Sequence, residues 1–188
     1  MPAAPRVLAF SGSARRESLN RKLLAVTVDA VRKTGAEVTL LDLNDYPLPI
    51  YHGDLEDAEG LPTNAKKLIE LIAQHAGLLI ASPEYNSMFT PLLKNTLDWC
   101  TRGDENPFTG KIAAVVSASP GQLGGVRSLQ HLRHLLLHLG CHVVPAQCTL
   151  PKANEAFDPT GKLKDQRSQK SVEGVAVSLF QLLTKMGD

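Results

Sequence analysis

Apolar positions in this chain gather into five short runs: Val7–Phe10, Val38–Leu41, Gly77–Ala81, Ile112–Ser117 and His142–Pro145. The first, third and fourth are almost unbroken in apolar side chains, the pattern of strands covered on both faces of a parallel sheet. The segments between them repeat at helical spacing. Leu19–Lys33 carries Leu23, Leu24, Val28 and Val31, and Asn64–His75 carries Leu68, Ile69, Leu71 and Ile72. Pro91–Cys100 and Val126–Leu139 follow the same rhythm, and Ser168–Lys185 closes the chain with Val172, Val175, Val177, Leu179 and Leu182. Strand alternating with helix in this way predicts a doubly wound α/β fold, one domain across residues 1–188. Two stretches are irregular and rich in turn formers: Asn44–Pro62, with Pro47, Pro49, Gly53 and Gly60, and Pro151–Asp165, with Pro159 and Gly161. Each is long for a simple connection, so each is a candidate functional loop or partner surface, with a plain surface excursion equally open.

Composition narrows the function classes. Apolar residues make up 43% and charged residues 21%, as in a globular protein. The formal net charge is +1 and the two signs are interspersed. No basic stripe marks a nucleic-acid or membrane-surface partner. Cys100, Cys141 and Cys148 form no CxxC pair and no zinc or iron–sulfur spacing, and they read as small buried hydrophobes in a reducing compartment. Met1–Arg6 runs straight into the first apolar stretch without a signal-peptide core, and no stretch nears the roughly 20 apolar residues that cross a bilayer. A cytoplasmic protein is the expectation. His131, His134 and His138 share the spacing i, i+3, i+7 on a predicted helix. A solvated helix face accounts for them better than a metal set, and no metal is expected.

In an open parallel sheet, ligands bind beyond the carboxyl ends of the strands where the strand order reverses. Three unusual loops follow the first, third and fourth predicted strands. The first, Ser11-Gly12-Ser13-Ala14-Arg15-Arg16-Glu17-Ser18-Leu19-Asn20, opens a helix. Unpaired amides at a helix N-terminus favour an anion, and the hydroxyls of Ser11, Ser13 and Ser18, the Asn20 amide and the Arg15 guanidinium add donors suited to a phosphate monoester. The loop has a single glycine and no GK[ST], so it is neither a GxGxxG turn nor a P-loop. The second loop is Ser82-Pro83-Glu84-Tyr85-Asn86-Ser87, with a proline fixing the exit from the strand. The third is Ser117-Ala118-Ser119-Pro120-Gly121-Gln122-Leu123-Gly124-Gly125, whose glycines let backbone approach a ligand closely.

Taken together, GSARRESLN at Gly12–Asn20, SPEYN at Ser82–Asn86, LKNTLDW at Leu93–Trp99 and SASPGQLGG at Ser117–Gly125 resemble the NAD(P)H-dependent FMN reductases, a flavodoxin-like family of quinone, azo and chromate reductases. The likeness covers Val7 to Val144. It implies a three-layer sandwich around a five-stranded parallel sheet in the order 2-1-3-4-5, with FMN at the switch point. It implies that Ser11, Ser13, Arg15, Ser18, Leu19 and Asn20 hold the FMN phosphate. Pro83, Glu84, Tyr85 and Asn86 would line the isoalloxazine, and Ser117, Ser119, Pro120 and Gly121 would meet its pyrimidine edge. The helix bearing Leu93–Trp99 resembles a surface that builds a homodimer or homotetramer. One departure stands out: many relatives have Gly-Gly-Ala-Arg where this chain has Gly124-Gly125-Val126-Arg127.

The chemistry implied is electron transfer from NADH or NADPH through FMN to quinones or similar small acceptors (azo compounds, chromate, free flavin) in a ping-pong cycle. The cofactor carries the redox step, so no side-chain catalytic residue is expected. The rival readings are a flavodoxin-type electron carrier or a flavin-binding sensor. Carriers of that type are strongly acidic, which a net charge of +1 does not match.

Overall fold

The computed structural model describes residues 3–186. Its parallel sheet runs in the order β2-β1-β3-β4-β5, where β1 is Arg6–Ser11, β2 Glu37–Leu41, β3 Gly77–Ala81, β4 Ile112–Ala118 and β5 His142–Val143. This is the flavodoxin order that the family resemblance implied. Helix α1 (Leu19–Lys33) and the last helix, α6 (Gln166–Met186), pack on one face. Helices α3 (Thr63–Ala73), α4 (Pro91–Cys100) and α5 (Val126–His138) cover the other. Alternate strand residues serve the two cores. Val7, Ala9, Leu79 and Val116 face α1 and α6, whereas Leu8, Phe10, Leu78 and Ile80 face α3, α4 and α5. Every residue of β3 and of β4 is buried, which explains their unbroken apolar composition. The edge strand β2 is mostly exposed.

The fifth strand departs from the expected His142–Pro145 run. It pairs with β4 only at His142 and Val143, leaves the ladder, and a sixth strand, β6 (Cys148–Leu150), resumes pairing along β4 at Val116–Ala118. The Val144 amide still donates to Ala113, but Pro145 has no N–H to continue the ladder. Arg133 reaches across to cap the freed Val144 carbonyl at 2.7 Å.

The Asn44–Pro62 segment is more ordered than its turn formers suggested. It holds a 3-10 turn at Leu43–Asp45 and a short helix α2, Gly53–Glu59, that buries none of its residues. Helix α4 anchors the start of this segment. Asn95 Nδ2 and Trp99 Nε1 both donate to the Pro49 carbonyl, at 2.9 and 2.8 Å, and Asn95 Oδ1 accepts from the Tyr51 amide. Trp99 is fully buried, with Tyr51 edge-on to it at 5.1 Å. Arg102 stacks over the Tyr51 ring and pairs with Glu56.

No helix among the described residues is long and apolar enough to cross a membrane. The three cysteines are buried free thiols, and burial pushes Cys100 and Cys141 up to about 12.

Candidate functional site

The strand order reverses between β1 and β3, and the three unusual loops meet beyond the ends of β1, β3 and β4. They enclose a cavity of about 350 Å³. One side is the loop before α1, with Ser13, Arg15, Glu17, Ser18, Leu19 and Asn20. Facing it are Pro83, Glu84 and Tyr85 from the second loop, and Ala118, Ser119 and Pro120 from the third.

The phosphate-side wall is built by the start of α1. Ser18 is its N-cap, and its hydroxyl oxygen accepts from the Arg21 amide at 3.3 Å, which leaves its proton free to donate outward. The amides of Leu19 and Asn20 have no carbonyl one turn back within the helix. The first turn carries no acidic residue, so the positive end of the helix dipole is not neutralised from within. Glu17 lines the cavity but its carboxylate is paired with Lys22 at 3.1 Å. Arg15 is exposed on the rim and makes no ion pair with a described residue. Gly12 brings this loop against α4: its amide donates to Ala81, and a Cβ there would lie 2.9 Å from Leu93 Cβ. Thr90 caps α4 and donates its hydroxyl to the Gly12 carbonyl at 2.6 Å.

The sequence profile of the NADPH-dependent FMN reductase family matches residues 5–155. The chain belongs to that family. An NAD(P)H-dependent FMN reductase of Pseudomonas aeruginosa is 35% identical over 169 residues, covering 89% of each chain. The quinone reductase of Escherichia coli K12 is 30% identical over 183 residues, covering 96% of each. Among solved structures, the flavoenzyme NAD(P)H:acceptor oxidoreductase FerB of Paracoccus denitrificans superposes with a TM-score of 0.82 at 28% identity, over 97% of this chain and 98% of its own.

In this FMN reductase family member, most of the residues singled out from sequence meet at the cavity, and the others have different surroundings. Asn20 lines it, but its amide is spent on β4, donating to the Ala118 carbonyl at 2.8 Å and accepting from the Ala118 amide at 2.9 Å. That pair locks the first wall to the third. Ser11 lies outside this lining. Its buried hydroxyl has no hydrogen-bond partner among the described residues, and Ser11 lines a smaller cavity of about 200 Å³ that shares Ser13. Ser117 is fully buried and donates to the Ser82 carbonyl at 2.7 Å, tying the second and third loops together. Asn86 lies beyond the lining with Ser87, both at positive φ, in a tight turn closed by reciprocal Tyr85 and Met88 backbone bonds. Gly121 is also outside it, its amide held by Ser119 Oγ at 3.1 Å.

Sequence reasoning missed four participants. Ala118 lines the cavity and receives Asn20, and Thr90 positions Gly12. The Thr90-Pro91 pair was a readable helix-start signal. Arg127 and Ser128 hold Glu84, a partnership across 43 and 44 residues that no local pattern announces. Burial pushes the Glu84 carboxyl up, but the Arg127 guanidinium and the amides of Ser128 and Arg127 outweigh it and keep it below the usual carboxylate range. Among the described residues no three His, Cys, Asp or Glu side chains gather as a metal set.

Proposed function

We propose that this chain is an FMN-dependent oxidoreductase that takes electrons from NAD(P)H and passes them to quinones or related small acceptors. The observation that carries the reading is the cavity itself. An uncompensated helix N-terminus, the Ser13 and Ser18 hydroxyls and an Arg15 without an ion-pair partner among the described residues stand on one side, and a partly apolar wall of Pro83, Tyr85, Ala118 and Pro120 on the other. The first side suits a phosphate monoester and the second a flat heterocycle, the two ends of FMN. Support for the acceptor class comes from relatives named quinone reductase, such as that of Escherichia coli, and from the NADPH:quinone oxidoreductase of Arabidopsis thaliana at 34% identity.

When bound, FMN supplies hydride acceptance from NAD(P)H and electron delivery to the acceptor in alternating half-reactions. The protein's part is to bind and orient. Ser13, Arg15, Ser18 and the α1 amides hold the phosphate. Pro83–Tyr85 and Ala118–Pro120 hold the ring, with Tyr85 about half exposed at the rim. The Ser119 amide is already spent on the Leu150 carbonyl and the Gly121 amide on Ser119 Oγ, so among the cavity-lining residues of the third loop the donor left to turn toward the ring is the Ser119 hydroxyl proton.

The test is direct. The purified protein is expected to be yellow, to release FMN on denaturation, and to oxidise NADH or NADPH in steady state with a quinone. A holoprotein that exchanges electrons with a protein partner but never with NAD(P)H would replace this reading with the carrier.

We further propose one domain spanning residues 1–188, working in the cytoplasm, where buried free thiols persist. It assembles as a homodimer or homotetramer through the α4 side. Ile50, 86% exposed beside the α4-anchored Pro49–Tyr51 segment, is a large apolar side chain in need of cover. Ile50→Glu is expected to lower the mass seen by light scattering to that of a smaller species, and an unchanged mass would remove this face from the interface.

A further inference from the structure

Helix α5 begins without a cap of its own. Its N-cap position is Gly125, which offers no side chain, and its first turn has no acidic residue. The missing acceptor comes from the second loop. One Glu84 carboxylate oxygen accepts from the Arg127 and Ser128 amides at 3.1 and 3.2 Å. The other accepts from Arg127 Nε at 2.8 Å and pairs with Nη2 of the same guanidinium. Glu84 therefore caps one helix from the loop of another strand, and its side chain is only 9% exposed although it lines the cavity.

The consequence is electrostatic as well as mechanical. A carboxylate beside the ring wall would repel the negative charge that a flavin gains on reduction. Here it arrives with its own counter-charge and sits on the positive end of a helix dipole. We propose that the Glu84–Arg127 pair is a positioning and charge-balancing unit, which fixes the Pro83–Tyr85 wall and sets the reduction potential of the flavin. This rests on the FMN reading above. Neither residue touches the reacting atoms in this assignment, and both act through the wall they hold.

A purely structural clamp and a charge-balancing one differ in the sign of their effects. Glu84→Gln leaves Arg127 unbalanced and is expected to raise the midpoint potential measured by dye equilibration. Arg127→Met leaves the carboxylate unbalanced, keeps its two amide bonds, and is expected to lower the potential. The double variant restores neutrality and is expected to return toward the wild-type potential, while FMN affinity, titrated by fluorescence on apoprotein, stays weakened by about tenfold. Arg127→Lys is expected to keep the wild-type potential. Shifts of the same sign in both single variants, or none in Arg127→Met, would overturn the assignment. If wild-type protein takes up no FMN, the functional reading fails and this inference with it. Normal FMN uptake with unshifted variants defeats this inference alone.

Discussion

Gly125→Ala is expected to lower the melting temperature by about 10 °C or more and to abolish tight FMN binding. Gly125 sits at φ +87°, where an L side chain costs about 1–2 kcal/mol. The larger cost is steric. A Cβ there would lie 1.9 Å from Ser117 Oγ and 2.8 Å from Ser117 Cβ, so rotating the hydroxyl away does not relieve the clash. Overpacking of this kind costs about 1–3 kcal/mol, and any shift of Ser117 also takes its hydrogen bond from the buried Ser82 carbonyl. The second and third walls of the site would separate at that bond. Gly161→Ala is the control. Its φ is +84°, but nothing lies within 4 Å of the added Cβ, so only the backbone part of the cost should appear. Thermal unfolding of the two variants side by side measures the steric share. Equal melting temperatures would show that Ser117 and Gly125 do not set the spacing of these loops.

Arg15→Ala and Asn20→Ala are expected to fail in different ways. Arg15 is exposed and makes no ion pair with a described residue, so its removal should leave the apoprotein's unfolding unchanged. FMN affinity should fall by about 10- to 150-fold, the equivalent of a charge-assisted contact worth about 1.5–3 kcal/mol. Asn20 is 3% exposed and makes both of its bonds to Ala118. Its loss strands two buried backbone groups at about 1–3 kcal/mol, visible in urea unfolding before any flavin is added. Fluorescence titration and denaturant midpoints on the same preparations separate the two roles. An Arg15→Ala protein with full FMN affinity would remove Arg15 from the phosphate site.

That contrast also marks what the sequence discloses. Elements whose apolar pattern reports burial were legible nearly to the residue: Gly77–Ala81, Leu19–Lys33 and Pro91–Cys100 have the same limits in the structure. Helix α2 was not, because it buries nothing and so leaves no apolar period to read. The break between β5 and β6 was hidden for another reason. Pro145 was counted inside a strand it ends, and the resumed pairing of Cys148–Leu150 depends on the length of β4, a distant element. At the site, the donor-rich loop before α1 was recognisable from residue types alone. What those side chains do with their donors was not. Asn20 and Ser117 spend theirs on backbone across the sheet, and Glu84 finds Arg127 through topology.

The interrupted edge strand has a consequence for the order in which the molecule can be completed. The Ser119 amide hangs on the Leu150 carbonyl, and the amides of Lys152 and Ala153 return to the carbonyls of Gly121 and Ser119. The third wall is therefore finished by residues that leave the ribosome last among the site's contributors, long after the phosphate-side loop. A nascent chain carrying every side chain that touches the cavity still lacks the backbone that shapes it. The finished site depends in this sense on a short piece of late-synthesised chain that contributes no side chain to its lining.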